Sequence, residues 1–188
     1  FFTGTQDDPA LRLASNYLSY LGTPTRSAEE IAQEMYQLAC SFQLRSGSSA
    51  SVISISGLSE NIPAAMSIVE DLIYNAVPNE SILANLKADM LKERADAKLN
   101  QGRCFSALQN YVLLGKDFIR QTTLSDKQIE ELTSEELLGK IRELMEYSHE
   151  VSYYGPAIKN EVKALIRDNH RIAEDPKPLT LRYPEAVP

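Results

Sequence analysis

Histidine carries most acid–base and metal chemistry in proteins, and this chain has two, His149 and His170. A zinc site needs two or three nitrogen or carboxylate ligands converging on one point. No segment offers H-x-x-x-H or H-x-x-E-H on a helix. His149 precedes Glu150 at the edge of a segment that reads as a strand. His170 falls at a helix end beside Arg171, where the helix dipole favours a cation. Both are expected to have structural or solvent-facing roles. Cys40 and Cys104 are far apart and lack C-x-x-C spacing, so neither a disulfide framework nor a closed zinc site is expected. Their apolar neighbours predict two buried, reduced thiols.

A serine nucleophile needs a base and usually a G-x-S-x-G turn. The stretch "SISGLSEN" lacks that turn, and alternation explains Ser51, Ser54 and Ser56 as the polar face of a strand. "SGSSAS" joins two strands rather than a strand and a helix, so it does not supply the helix terminus that binds phosphate. "LKERADAKLNQGR" reads as a solvated helix face of mixed charge.

The elements that position these residues follow from punctuation and period. Phe1 to Thr5 is a short strand candidate. Asp7, Asp8 and Pro9 open a helix that runs to about Leu21, with Leu11, Ala14, Leu18 and Leu21 on one stripe. Gly22 ends it and Pro24 prevents its resumption. Ser27 and Glu30 form a capping box for a second helix with Ile31, Met35 and Leu38 inward. Phe42 and Leu44, then Val52, Ile53 and Ile55, alternate with polar residues across a Gly/Ser turn and predict a hairpin. A helix from Leu58 to Tyr74, with Ser59 as cap, is followed by a long one from about Glu80 to Asn100. Gly102 interrupts, and helix returns from Phe105 to Leu114. Ser125 with Gln128, and Thr133 with Glu136, mark two further helix starts. "HEVSYYGP" reads as a last strand, Ala157 to His170 as a last helix, and "AEDPKPLTLRYPEAVP" as a proline-rich linker. The order predicts an α+β, two-layer domain: a small antiparallel sheet covered by helices on one face.

Net charge is −7, with no Lys/Arg stripe, which argues against a nucleic-acid partner. No apolar run approaches the roughly 20 residues of a membrane span, so no membrane partner is expected. Beginning at Phe1, the chain reads as a piece of a longer protein, expected to be soluble.

The stretch "ALRLASNYLSYLGTPTRSAEEIAQEMYQLACSF" has a helix, a Gly-Thr joint and a capped second helix leading into a strand hairpin. It resembles the pitrilysin/insulinase family of zinc peptidases. The resemblance continues through "SISGLSENIPAAMSIVEDLI", "LKERADAKLNQ" and "VSYYGP", and covers about Phe1 to Ile172. Its later segments are similar to the non-catalytic second-half domain of bacterial members. In the family, the helix before the Gly-Thr joint carries H-x-x-E-H, whose histidines bind zinc and whose glutamate is the general base. A distant glutamate completes the ligands. Counting back from Gly22, those positions are Leu13, Asn16 and Tyr17, and the distant glutamate falls near Glu93. Leucine offers no lone pair, asparagine no useful basicity, and a phenol with a pKa of about 10 is a poor zinc ligand.

The resemblance therefore implies an inactive peptidase domain over residues 1–171 and a linker over 172–188 toward a following domain. The segment is expected to hold no zinc and no catalytic residue, zinc residing in the catalytic domain of a peptide-hydrolysing parent. Expected partners are other domains of the same chain, or a separate catalytic chain if this is a free-standing non-catalytic subunit. The parent's peptide substrate is a third, through β-pairing along Phe42, Gln43, Leu44 and Arg45. An independent hydrolase built on Cys104 or His149 is the remaining, disfavoured alternative.

Overall fold

A computed structural model describes residues 8–47 and 50–178. The strand expected at Phe1 to Thr5 lies outside them, as does the end of the proline-rich tail. The elements run α1 (Leu11–Leu18), α2 (Ala28–Gln37), β1 (Cys40–Ser46), β2 (Ser51–Gly57), α3 (Ile62–Asn75), α4 (Glu80–Ala97), α5 (Gln101–Thr122), α6 (Asp126–Glu131), α7 (Ser134–Leu144) and α8 (Lys159–Asn169).

β1 and β2 form an antiparallel pair in which Phe42 faces Ile55 and Leu44 faces Ile53. Period-two alternation turns Phe42, Leu44, Ile53 and Ile55 toward the helices and leaves Gln43, Arg45 and Ser54 exposed. The same alternation corrects one expectation. Ser51 shares the inward face with Ile53 and Ile55, is fully buried, and sits 2.9 Å from Ser46 Oγ, whereas Val52 is on the outer face. The architecture is thus the expected α+β arrangement, with helices on one side of a small antiparallel sheet.

The core is built by α1 (Leu11, Leu13, Ala14, Tyr17, Leu18), α3 (Ile68, Val69, Leu72, Ile73) and α7 (Leu137, Leu138, Ile141, Leu144), closed by Ile31, Met35, Leu83 and Ile129. Each fully buried aliphatic side chain of this kind contributes about 1.5–3 kcal/mol. α1 packs chiefly on α7 and β1. An ion pair between Asp8 and Lys140 ties the start of α1 to α7.

Three capping boxes form as expected, at Ser27/Glu30, Ser125/Gln128 and Thr133/Glu136. Their reciprocal hydrogen bonds hold the Glu30 and Glu136 carboxyls below the usual glutamate range, through the backbone amides first and the cap hydroxyls second. α1 ends at Leu18, and tighter bonds from Tyr20 and Leu21 carry the chain to Gly22. Ser59 does not cap α3. It opens a short 3-10 turn, Ser59–Asn61, and Asn61 is the residue before the helix.

Gly102 does not interrupt a helix either. It lies in the first turn of α5, which Asn100 caps by accepting from the Arg103 amide at 3.0 Å. The interruption lies just before it, between the end of α4 at Ala97 and the start of α5 at Gln101, and a second break falls at Gly115, whose φ of 77° only glycine adopts without strain, with helix resuming to Thr122.

The strand expected in "HEVSYYGP" is absent. Residues 149–154 form no ladder among the described residues; the nearest backbone pairing is a single bridge between Tyr147 and Lys177. A strand exists only where a partner edge completes its hydrogen bonds, and β-propensity alone supplies none. Cys40 is buried as expected, but Cys104 is exposed, because the first arm of α5 buries nothing.

Candidate functional site

α1 presents its 3.6-residue period to the core, and that period decides what the three motif positions can do. Leu13 and Tyr17 are one turn apart on the buried face, while Asn16 points to solvent. Leu13 is 3 % exposed and Tyr17 is sealed completely. The Tyr17 hydroxyl accepts from the Asn79 amide at 2.7 Å and lies 2.8 Å from Ser134 Oγ and 3.1 Å from the Asn79 carbonyl. Asn79 caps α4 and Ser134 opens α7, so one phenol pins the starts of two helices against α1. Ser134 is itself fully buried, and its amide donates to Glu80 Oε1 at 3.1 Å.

These residues do not fit zinc. The first position offers a hydrocarbon, the second faces away from the other two, and the third has its oxygen committed to backbone and serine. Glu93 lies on α4, largely exposed, and pairs with Arg103 at 3.2 Å. Among the described residues, no three His, Cys, Asp or Glu side chains are grouped to hold a metal ion.

The Gly-Thr joint next to this helix is closely built. The Thr23 amide donates to the Arg26 carbonyl at 2.7 Å, and the Val77 amide to the Gly22 carbonyl at 2.9 Å. Arg26 reaches Glu34 on α2 and Asp71 on α3, each at 3.0 Å. A side chain at residue 22 would strike the Arg26 carbonyl and approach Ser27 Cα to 2.9 Å.

β1 holds Phe42, Gln43, Leu44 and Arg45. Phe42 and Leu44 are half-buried against the helices, and among the described residues β1 forms a ladder with β2 alone. Its exposed Gln43 and Arg45 face away from the core.

The two histidines, expected to have structural or solvent-facing roles, meet. Their Nε2 atoms are 2.8 Å apart, and His170 Nδ1 is 2.5 Å from Glu70 Oε1 on α3. Sequence reasoning placed His170 at a helix end, which is right, but gave no sign of Glu70. It likewise missed Asn79 and Ser134 as partners of Tyr17.

No family profile matches the chain, and no curated protein matches it. Solved structures do. The peptidase M16 inactive domain from Pseudomonas fluorescens aligns over 98% of this chain and 47% of its own length, with TM-score 0.75 and 20% identity. The periplasmic protease PqqL from Escherichia coli aligns over 98% of this chain, with TM-score 0.74 and 15% identity. The ferredoxin protease FusC, in complex with Arabidopsis ferredoxin, aligns over 99%, with TM-score 0.77 and 13% identity.

The fold is that of an M16-type peptidase domain. This is the architecture that the pitrilysin/insulinase resemblance implied. The chain spans only 21% of the length of PqqL and of FusC, so its counterpart in those M16-type proteases is one domain among others. Among the described residues, no helix is long and apolar enough to cross a membrane.

Proposed function

We propose that this chain is a non-catalytic domain of a larger M16-type zinc peptidase, helping to shape and close the substrate chamber while zinc and peptide hydrolysis reside elsewhere in the parent. Tyr17 carries the reading. At the position of the family's second histidine it is sealed in the core, its hydroxyl tying α1 to α4 and α7. The position serves packing, and opening it for a metal and a water would dismantle the domain. The name of the Pseudomonas neighbour, an inactive domain, supports the same reading.

The expected partners are other domains of the parent chain, or a catalytic subunit paired with this one. α5 supports a role in assembly. Phe105, Leu108, Tyr111, Val112 and Leu113 are each more than half exposed, and α5 buries none of its residues. Exposed apolar stretches of this kind mark contact surfaces. The proline-rich segment 172–188 is read as the connection from the domain of residues 1–171 to the next.

The test is metal analysis of the purified chain after equilibration with excess zinc and dialysis, together with a generic peptide-hydrolysis assay. Less than a tenth of an equivalent of zinc, with no hydrolysis, is expected. Stoichiometric zinc lost on Tyr17→Phe substitution would overturn the reading. Pairing of an extended peptide along Phe42, Gln43, Leu44 and Arg45 is a further part of the proposal. It predicts amide shift changes confined to β1 on adding an unstructured peptide, and no change at millimolar peptide would refute it.

A further inference from the structure

His149, on the segment after α7, His170, at the end of α8, and Glu70, on α3, form a continuous hydrogen-bonded chain. His149 Nδ1 lies 3.0 Å from the Tyr147 carbonyl, the two Nε2 atoms are 2.8 Å apart, and His170 Nδ1 is 2.5 Å from Glu70 Oε1. The rings meet edge to face, with centroids 4.9 Å apart. The His170 and Glu70 side chains are 12% and 13% exposed.

Counting protons decides the state of this chain. A carbonyl only accepts, so His149 Nδ1 carries a hydrogen. The Nε2–Nε2 link needs one proton, and the link from His170 to Glu70 needs another. Three links require three protons, while two neutral imidazoles and an ionised carboxylate bring two. Without the third, a pair of acceptor atoms faces each other in a site largely shielded from solvent, at the cost of an unmade hydrogen bond. With it, the trio is neutral overall, which suits its burial.

We propose that Glu70, His149 and His170 bind one shared excess proton, and that this proton latches α8 and the segment around His149 onto α3 in a pH-dependent way. α8 has no fully buried side chain of its own. Its hold on α3 therefore leans on polar contacts such as this one.

Among the described residues, the other charged and titratable groups near the trio include Tyr74 on α3, Arg171 after α8, Glu143 and Glu146 at the end of α7 and just beyond it, and Lys177. The Arg171 guanidinium lies 4.6 Å over the Tyr74 ring, and Lys177 pairs with Glu146 at 2.7 Å and Glu143 at 3.4 Å. The Tyr74 phenol is pushed up by burial first, with Glu70 adding to the effect. Arg171 and Lys177 thus have other partners, and the shared proton is the counter-charge in contact with Glu70 among the described residues.

The sign follows. The docked state binds a proton more than the undocked one at neutral pH, so the latch is made on the acid side of the trio's titration and is lost as pH rises through it. The titration belongs to the trio as a unit. Further acid adds a fourth proton, sets two N–H groups against each other and weakens the latch again. Docking therefore peaks at intermediate pH.

The test uses the full chain with a chelator present, so that only a proton can sit between the rings. With two histidines in the sequence, ring-nitrogen NMR reads both directly. At about pH 6 the trio is expected to hold three protons, either with one ring carrying hydrogens on both nitrogens beside an ionised Glu70, or with two singly protonated rings beside a protonated Glu70 carboxyl. Hydrogen exchange, corrected for intrinsic rates, is expected to show opening of α8 rising about tenfold or more between about pH 6 and 8.5, with α1 and α7 unchanged. His149→Phe, which keeps a ring in place, should remove that pH dependence. Two neutral rings together with an ionised Glu70 carboxyl, read from its carbon shift, at about pH 6 would overturn the proposal, and so would a shared proton whose loss leaves α8 exchange unaltered. Neither result bears on the reading of Tyr17, which the zinc measurement tests separately.

Discussion

Replacing Tyr17 by phenylalanine removes one oxygen from a site with no solvent access, and the cost can be worked out from its partners. The ring still fills the same space, so no cavity term arises. The loss is the phenol's bond with the Asn79 amide at 2.7 Å and its link to Ser134 Oγ at 2.8 Å. A single phenolic proton cannot serve both the Ser134 oxygen and the Asn79 carbonyl, so Tyr17 donates to one while accepting from the Asn79 amide. Ser134 is fully buried and among the described residues its hydroxyl bonds to Tyr17 alone, so it is left unsatisfied. A buried polar group stranded in this way costs about 1–3 kcal/mol. With about 2 kcal/mol lost, Tm should fall by about 4–8 °C in a domain of this size. The assay is urea and thermal unfolding by circular dichroism. Ser134→Ala on its own should also destabilise. The double variant should lose about 1 kcal/mol less than the sum of the two, because it leaves no Ser134 hydroxyl to be stranded when the phenol goes. Stability of Tyr17→Phe within about 0.5 kcal/mol of the parent, or strict additivity in the double variant, would refute the reasoning.

Introducing H-x-x-E-H by Leu13→His, Asn16→Glu and Tyr17→His together should yield an unfolded or molten chain by near-ultraviolet circular dichroism, because two imidazoles enter core positions; a folded variant binding zinc stoichiometrically would count against the packing account. Gly22→Ala should cost about 1–3 kcal/mol in urea melts, since the added methyl meets the Arg26 carbonyl at the joint; an unchanged midpoint would show that the joint yields freely. Glu136 has its carboxyl held low by Thr133, so its contribution is present above the ordinary glutamate range and is lost as pH falls through the lowered value. Glu136→Gln, which keeps the acceptor as Gln128 does in its own capping box, should flatten the acid limb of stability below about pH 5; an unaltered limb would place that dependence elsewhere.

The parts legible in the sequence share one physical property: their partners lie within a few residues. Ser27 with Glu30 and Thr133 with Glu136 close their boxes across three residues, whatever the rest of the chain does. The alternation of Phe42 and Leu44 against Ile53 and Ile55 sets both the hairpin and its inward face. The 3.6-residue period that puts Leu11, Ala14, Leu18 and Leu21 on one stripe buries all four once a core exists to receive them.

Tertiary structure decided what depends on distant chain. "HEVSYYGP" has strand composition, yet among the described residues no neighbouring edge completes it. Cys104 has apolar neighbours in sequence, but they line an exposed helix. Tyr17 meets Ser134 across 117 positions and His170 meets Glu70 across 100, and no local pattern encodes either. Residue types by themselves determined that the three motif positions make a poor zinc ligand set. The packing of α1 against α4 and α7 determined what Tyr17 does instead, because a buried phenol must find hydrogen-bond partners and only the assembled fold brings them to it.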